Sequence, residues 1–273
     1  MTSDAGPLAP SYTGHPGNRS LADNGTYVPF VELAARDYQA FLTFKRHPHY
    51  QAVLEHVSPE LGQAYLRAIA AQSPGLLAGI GTFAINDLVG GAEIVRYGDI
   101  ALSPSTLRYV KVASDLVTLF GEGLEGGRIA EIGVGYGGQM LVLDQIYRFG
   151  QYHLFDLPPV LELTQRYLES HLLRSAYRKF TLNQHDGGES YDLVISNYAF
   201  SELPMALQKE YLRKILRKAK RGYLTMNSGR ANSIFRTDKM SLEELRASLP
   251  ASMVIEEQPS SCPGNYILVW GQR

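Results

Sequence analysis

From Pro29 onward apolar residues fall at three- and four-residue intervals: Phe30, Leu33, Ala34, Phe41 and Leu42 line one face of a helix that ends before Pro48. Tyr50, Val53, Leu54 and Val57 repeat the spacing. Ser58-Pro59-Glu60 reads as an N-cap followed by a first-turn proline, opening a helix through Leu61, Tyr65 and Ile69 that Ser73-Pro74-Gly75 stops. Ser103-Pro104 repeats the device for a helix with Leu107, Val110, Val117 and Phe120 inward and Gly121 as its stop. Residues 26–121 are therefore expected to be all-helical.

After Gly127 short apolar runs alternate with helices, the grammar of a wound α/β sheet. Seven strands are expected at 128–133, 152–157, 179–184, 191–196, 222–227, 252–257 and 265–270. Helices are expected at about 138–148, 159–174 and 203–219, and at 241–248, where Ser241 and Glu244 form a capping box. Only turn material separates the last two strands, so the final strand runs antiparallel to its neighbour.

Composition narrows the classes. A chain of 273 residues, 45% hydrophobic and 19% charged, buries a sizeable core. Lys+Arg 26 against Asp+Glu 27 leaves a net charge of -1, with no field to attract nucleic acid or an anionic membrane. The basic run Lys209, Arg213, Lys214, Arg217, Lys218, Lys220 and Arg221 reads as a solvated helix face. Cys262 is the lone cysteine, which excludes an internal disulfide and a cysteine zinc cage and suits a cytoplasmic setting. Residues 1–25 are rich in Gly, Pro, Ser, Asn and Asp and are expected to form a flexible tail with no signal peptide. No apolar run approaches the ~20 residues that span a bilayer. His47, His49 and His56 lack a carboxylate at ligand spacing, so no metal is expected.

The chemistry-bearing segment is Glu131-Ile132-Gly133-Val134-Gly135-Tyr136-Gly137-Gly138, where a buried-type strand runs into glycines that open a helix. Such a turn lets a ligand approach the backbone. Asp156 ends the next strand, where a carboxylate accepts both hydroxyls of a ribose. Glu131, two residues before the first glycine, suits a ligand ammonium and repels a pyrophosphate. With the mid-chain position of the loop and the reversed last strand, S-adenosylmethionine is the expected cofactor rather than a dinucleotide.

The segment EIGVGYGGQ, with YHLFDLPPVLELTQRYL, YDLVISNYAFSEL and GYLTMNS after it and NDLVGGAEIVRYGDIALSPSTLRYVKV before it, resembles the sugar O-methyltransferase family of actinobacterial natural-product pathways, over about residues 26–228. That family is named by assignment rather than by a demonstrated substrate, and its look-alikes include indole C3-methyltransferases. The resemblance implies a class I S-adenosylmethionine-dependent methyltransferase, a Rossmann-like α/β seven-stranded sheet with an antiparallel last strand, plus an N-terminal helical domain. It divides the chain into a tail (1–25), a helical cap and dimerisation domain (26–122) and a cofactor-binding domain (123–273). A homodimer through the N-terminal helices and a small-molecule acceptor are expected as partners.

By the same resemblance Glu131, Gly133, Gly135 and Gly137 match the first-strand motif, Asp156 the ribose acid and Asp186 the acid facing the adenine amino group. Leu157 flanks the adenine; Ser196, Asn197 and Gln139 meet the methionine part; Arg108 and Tyr109 are candidates for the methionyl carboxylate and a lid. Val134 departs from a common glycine. Ser201 stands where small-molecule O-methyltransferases often place a catalytic histidine, so that mechanism does not carry over directly. Glu202 is the leading base, because a shielded carboxylate has a raised pKa. His185 is the second candidate, and Tyr198 is a candidate to orient the acceptor or face the sulfonium. Tyr27 is a candidate cap of the pocket. The expected reaction is O-methylation of a sugar-type hydroxyl, the alternatives being C3-methylation of an indole, favoured by aromatic walls such as Tyr198, Phe200 and Phe83, or a noncatalytic cofactor-binding module.

Overall fold

A computed structural model of the chain describes residues 25–228 and 238–272, so the expected tail lies, apart from Gly25, outside the described residues. The strands are β1 (Val95–Tyr97), β2 (Ile100–Leu102), β3 (Arg128–Ile132), β4 (Gln151–Phe155), β5 (Tyr177–Phe180), β6 (Leu193–Asn197), β7 (Gly222–Met226), β8 (Ser252–Glu256) and β9 (Tyr266–Trp270). Seven of them form one sheet in the order β5-β4-β3-β6-β7-β9-β8. The first five run parallel, and β9 is antiparallel to both β7 and β8. This is the strand order and the reversed strand of the class I methyltransferase fold, joined to an N-terminal helical segment. From β3 the chain winds outward through β4 and β5, then returns to the other side with β6 and β7. The reversal of winding between β3 and β6 opens a crevice beyond their carboxyl ends, where wound sheets bind ligands.

Helices Gly138–Asp144, Pro158–Leu168, Met205–Lys214 and Leu242–Ser248 alternate with the strands, and Ser241 and Glu244 form the expected capping box. Several elements are shorter than expected, two of them for visible local reasons. β5 stops at Phe180 because the Thr181 and Gln184 backbones and the Gln184 amide close a turn there. The helix expected to reach residue 148 ends at Asp144, whose carboxylate accepts the N–H groups of Arg174 and Ser175.

The expectation of an all-helical stretch before the sheet needs correction. β1 and β2 form a hairpin, with Tyr97 opposite Ile100 across a two-residue turn in which Gly98 adopts φ +66°. Helix Pro104–Phe120, capped by Ser103, is buried along most of its length and packs against both Pro59–Gln72 and Gly138–Asp144. Helix Tyr27–Arg36 buries Phe30, Val31 and Ala34 and packs on Pro158–Leu168. One continuous apolar core therefore runs from Tyr27 through the sheet to Val269. The opposite face of the sheet has its own core around Phe155, Phe200, Leu212 and Trp270. The basic run is not wholly solvated: Lys214 is buried, bonding the Leu182 carbonyl at 2.9 Å and Glu210 at 3.0 Å. No helix of the described residues is long and apolar enough to cross a membrane.

Candidate functional site

β3 delivers the chain into the glycine turn at the switch point. A Cβ on Gly133 would stand 2.0 Å from the Ala199 Cβ, and the residue holds φ +77°, so only glycine fits between β3 and the segment leaving β6. Asp156, at the end of β4, clamps the turn: Oδ2 accepts the N–H of Val134 at 2.8 Å and of Gly135 at 3.4 Å, while Oδ1 accepts that of Leu157 at 2.7 Å. Burial raises the Asp156 pKa to about 6. The expected ribose acid thus also shapes the backbone, and Oδ1 keeps capacity for a hydroxyl donor. Leu54 of the helical segment packs against Gly135, and the buried phenols of Tyr27 and Tyr50 lie close enough to Asp156 to feel its charge.

Glu131 stands differently from expectation. It is 2% exposed, its Oε2 accepts the Tyr152 hydroxyl at 2.6 Å, and burial lifts its pKa to about 8. At neutral pH it is a neutral acid directed at Tyr152, so repulsion of a pyrophosphate is not its work in this state.

Four expected residues meet at the end of β6. Gln139 Nε2 donates to the Tyr109 carbonyl at 3.2 Å, and its Oε1 accepts Asn197 Nδ2 at 3.2 Å. That leaves Asn197 Oδ1 buried without a donor. Ser196 Oγ is occupied, donating to the Ile132 carbonyl and accepting Phe200 N–H. Asp186 is exposed and capped by Gly188 N–H at 2.7 Å, which holds its carboxyl below the usual range.

Beside Asn197 lies a narrow crevice. Arg108, Lys111, Val112 and Asp115, spaced three and four apart on one helix face, make one wall; Tyr65, Tyr198, Tyr223, Thr225 and Glu257 make others. Tyr198 is the one described non-glycine residue with a left-handed backbone, φ +68°, a conformation that costs on the order of 1–3 kcal/mol. Its hydroxyl donates to Glu257, which also accepts Ser261 N–H at 2.9 Å. Glu257 was missed in the sequence because it reads as the last residue of an ordinary strand. Glu202, by contrast, is not among the crevice walls; its Oε1 accepts Asn227 Nδ2 at 2.8 Å, and burial raises its pKa. Phe200 and Phe83 are buried in the two cores and line no part of the crevice.

His185 sits apart from these groups, in the turn after the edge strand β5. It is 3% exposed and clusters with His153 and Glu189, their ligand-type atoms within 4.8 Å of one another, beside the Tyr191 hydroxyl. Hydrogen bonding argues against a metal there. Gly187 N–H donates to His185 Nδ1 at 3.1 Å, so the neutral ring carries its proton on the inward Nε2, at 2.9 Å from the Tyr191 hydroxyl. His153, held at a pKa of about 4 by burial, turns Nδ1 toward Glu189 at 3.0 Å and leaves Nε2 with no acceptor. Metal-bound histidines donate their outer N–H to a carbonyl or carboxylate, and neither ring does so.

No protein-family model and no curated protein sequence matches this chain. Its likenesses to solved structures are remote. An O-methyltransferase, provisionally so designated, from Nostoc punctiforme PCC 73102 is 15% identical over 74% of this chain and 71% of its own, with a TM-score of 0.40. A protein of Pyrococcus horikoshii OT3 is 13% identical over 65% of this chain and 95% of its own, with a TM-score of 0.46. The T. thermophilus 16S rRNA N2 G1207 methyltransferase, in complex with AdoMet and guanosine, is 17% identical over 66% of this chain and 45% of its own, with a TM-score of 0.43.

Proposed function

We propose that this chain is an S-adenosylmethionine-dependent methyltransferase acting on a small natural-product acceptor. The observation that carries the reading is Asn197. It ends β6 opposite the glycine turn, its amide nitrogen is fixed by Gln139, its buried Oδ1 has no donor, and it also lines the crevice. An ammonium is the donor such an orphaned acceptor fits, and the position joins a cofactor cleft to an acceptor cleft.

In this reading Asp156 holds the ribose hydroxyls, Leu157 and Asp186 flank the adenine, and Asn197 with Gln139 holds the amino end. Gly133, Gly135 and Gly137 keep the turn free of side chains. S-adenosylmethionine, when bound, supplies a methyl carbon already activated by its sulfonium. The protein's share is alignment, exclusion of water and removal of one proton. Alignment contributes on the order of 7 kcal/mol. Leu54 and the tyrosines of the helical segment exclude water. Proton removal falls to the crevice pair: the acceptor's proton moves to the Tyr198 oxygen as the Tyr198 proton passes to the Glu257 carboxylate. Glu202 supports this segment through Asn227, and His185 holds the adenine-side turn.

The sugar-type hydroxyl remains one candidate acceptor. The tyrosine walls Tyr65, Tyr198 and Tyr223 favour the second, a flat indole. Incubation with methyl-labelled cofactor and panels of deoxysugars and tryptophan-derived cyclic dipeptides tests both: label in one panel assigns the class, and label in neither refutes both acceptors. A homodimer through the N-terminal helices remains a proposal, with Leu33, Tyr38, Leu42 and Leu88 exposed in that segment. Light scattering returning 30.2 kDa refutes it.

A further inference from the structure

Two charges of the crevice, Glu257 and Arg108, have no ion-pair partner. Lys111 pairs with Asp115 at 2.6 Å, and Asp115 also accepts the Tyr223 hydroxyl at 2.7 Å and Gln72 at 2.9 Å. Glu257 is served by Tyr198 and Ser261. The Arg108 guanidinium differs: it is 9% exposed, donates one hydrogen bond, to the Leu54 carbonyl at 2.9 Å, and rests 5.5 Å from the Tyr109 ring centroid. No described carboxylate is within the 4.0 Å of an ion pair with it. Glu55, next to Leu54 in the chain, lies near enough to feel the Arg108 charge but makes no ion pair with it, and its buried Oε1 has no donor. On the same crevice the buried Tyr65 hydroxyl lies beside Tyr198 without closing a well-formed hydrogen bond.

A buried guanidinium with five donors and one acceptor is costly unless a ligand completes it. Its planar fork matches two coplanar oxygens, and a phenol alongside supplies a further donor. Of the remaining walls, Val112, Pro259, Ile267 and the ring of Tyr223 are apolar and suit a flat body, while Thr225 and Gln258 are polar.

We propose that Arg108 and the Tyr65 hydroxyl seat a carboxylate of the acceptor, so that the substrate class is a small carboxylic acid with a flat apolar body lying beside Tyr198. The proposal rests on the methyltransferase reading for the word acceptor; the seat itself does not.

The test compares phenylacetate with phenylacetamide, the same body without the charge, by calorimetry on the full chain with and without saturating S-adenosylhomocysteine. The acid binds about 10- to 100-fold more tightly than the amide, the range for a hydrogen-bonded charged group. Arg108→Gln abolishes that preference, Tyr65→Phe reduces it, and both leave the affinity for S-adenosylhomocysteine within about 3-fold. Equal binding of acid and amide to the unmodified protein overturns the proposal, and this comparison decides alone if Arg108→Gln does not fold. A loss of more than 10-fold in S-adenosylhomocysteine affinity in Arg108→Gln also overturns it, by assigning Arg108 to the cofactor's own carboxylate. If S-adenosylhomocysteine gives no heat while the acid preference persists, the seat stands and the methyltransferase reading falls.

Discussion

Replacing Asn86 by alanine tests how the helical segment is tied to the glycine turn. Asn86 is fully buried and its side chain makes three hydrogen bonds: Nδ2 donates to Thr106 Oγ1 at 2.7 Å and to the Tyr136 hydroxyl at 3.0 Å, and Oδ1 accepts the Tyr167 hydroxyl at 2.9 Å. Tyr136 lies inside the turn, Thr106 starts the helix preceding the sheet, and Tyr167 belongs to the helix after β4. Three bonds at about 0.5–1.5 kcal/mol each, with the Tyr136 hydroxyl left without its amide donor, give a loss of about 2–4 kcal/mol. For a chain of this size that lowers Tm by roughly 5–15 °C. Tyr167 keeps the Asn86 carbonyl at 2.9 Å and Thr106 keeps Asp87 at 2.7 Å, so the fold survives for measurement. Circular dichroism melts read the Tm, and calorimetry on the same variant reads an S-adenosylhomocysteine affinity lowered by at least about 3-fold, because Tyr136 loses its anchor. A Tm within 2 °C of the unmodified protein would refute the reasoning.

Three further outcomes are expected. Gly133→Ala meets the Ala199 Cβ and a left-handed backbone together, so it lowers stability by at least about 2 kcal/mol in urea titration and abolishes cofactor binding; a variant with unchanged midpoint contradicts the packing argument. Tyr198→Phe and Glu257→Gln each lower kcat by roughly 10²- to 10⁴-fold once an acceptor is found, whereas Glu202→Gln costs less than 10-fold; the reverse order returns the role of base to Glu202. Glu131, whose folded pKa of about 8 exceeds its ordinary 4.5, binds its proton more tightly when folded. Its contribution is complete below pH 4.5 and is lost as pH rises through 8, so Glu131→Gln flattens the decline of Tm over that window, and an unchanged slope rules the assignment out.

Much of the fold was legible because its signals are local. Strand-length apolar runs, the Ser-Pro caps and the Ser241–Glu244 box each fix an element from a few neighbouring residues, and the turn-only link before β9 dictates its reversal. The β1–β2 hairpin was hidden because its strands are three residues long, too short for alternation to show against helical spacing. At the site, glycines and a strand-end acid announce themselves, so Gly133 and Asp156 were found. Glu257 and Tyr65 were not, because their importance comes from β8 and a distant helix converging on one crevice, which no spacing records. Burial likewise changed Glu131 from an expected anion into a neutral acid, a shift that the hydrogen bond from Tyr152, twenty-one residues away, only partly offsets. Many apolar residues of the N-terminal helices belong to the chain's own core.

Calorimetric titration with S-adenosylhomocysteine and, separately, with NADH addresses the central claim directly. The account predicts saturable heat from S-adenosylhomocysteine at one molecule per chain, sharply reduced by Asp156→Ala, and none from NADH. Heat from NADH with none from S-adenosylhomocysteine contradicts it.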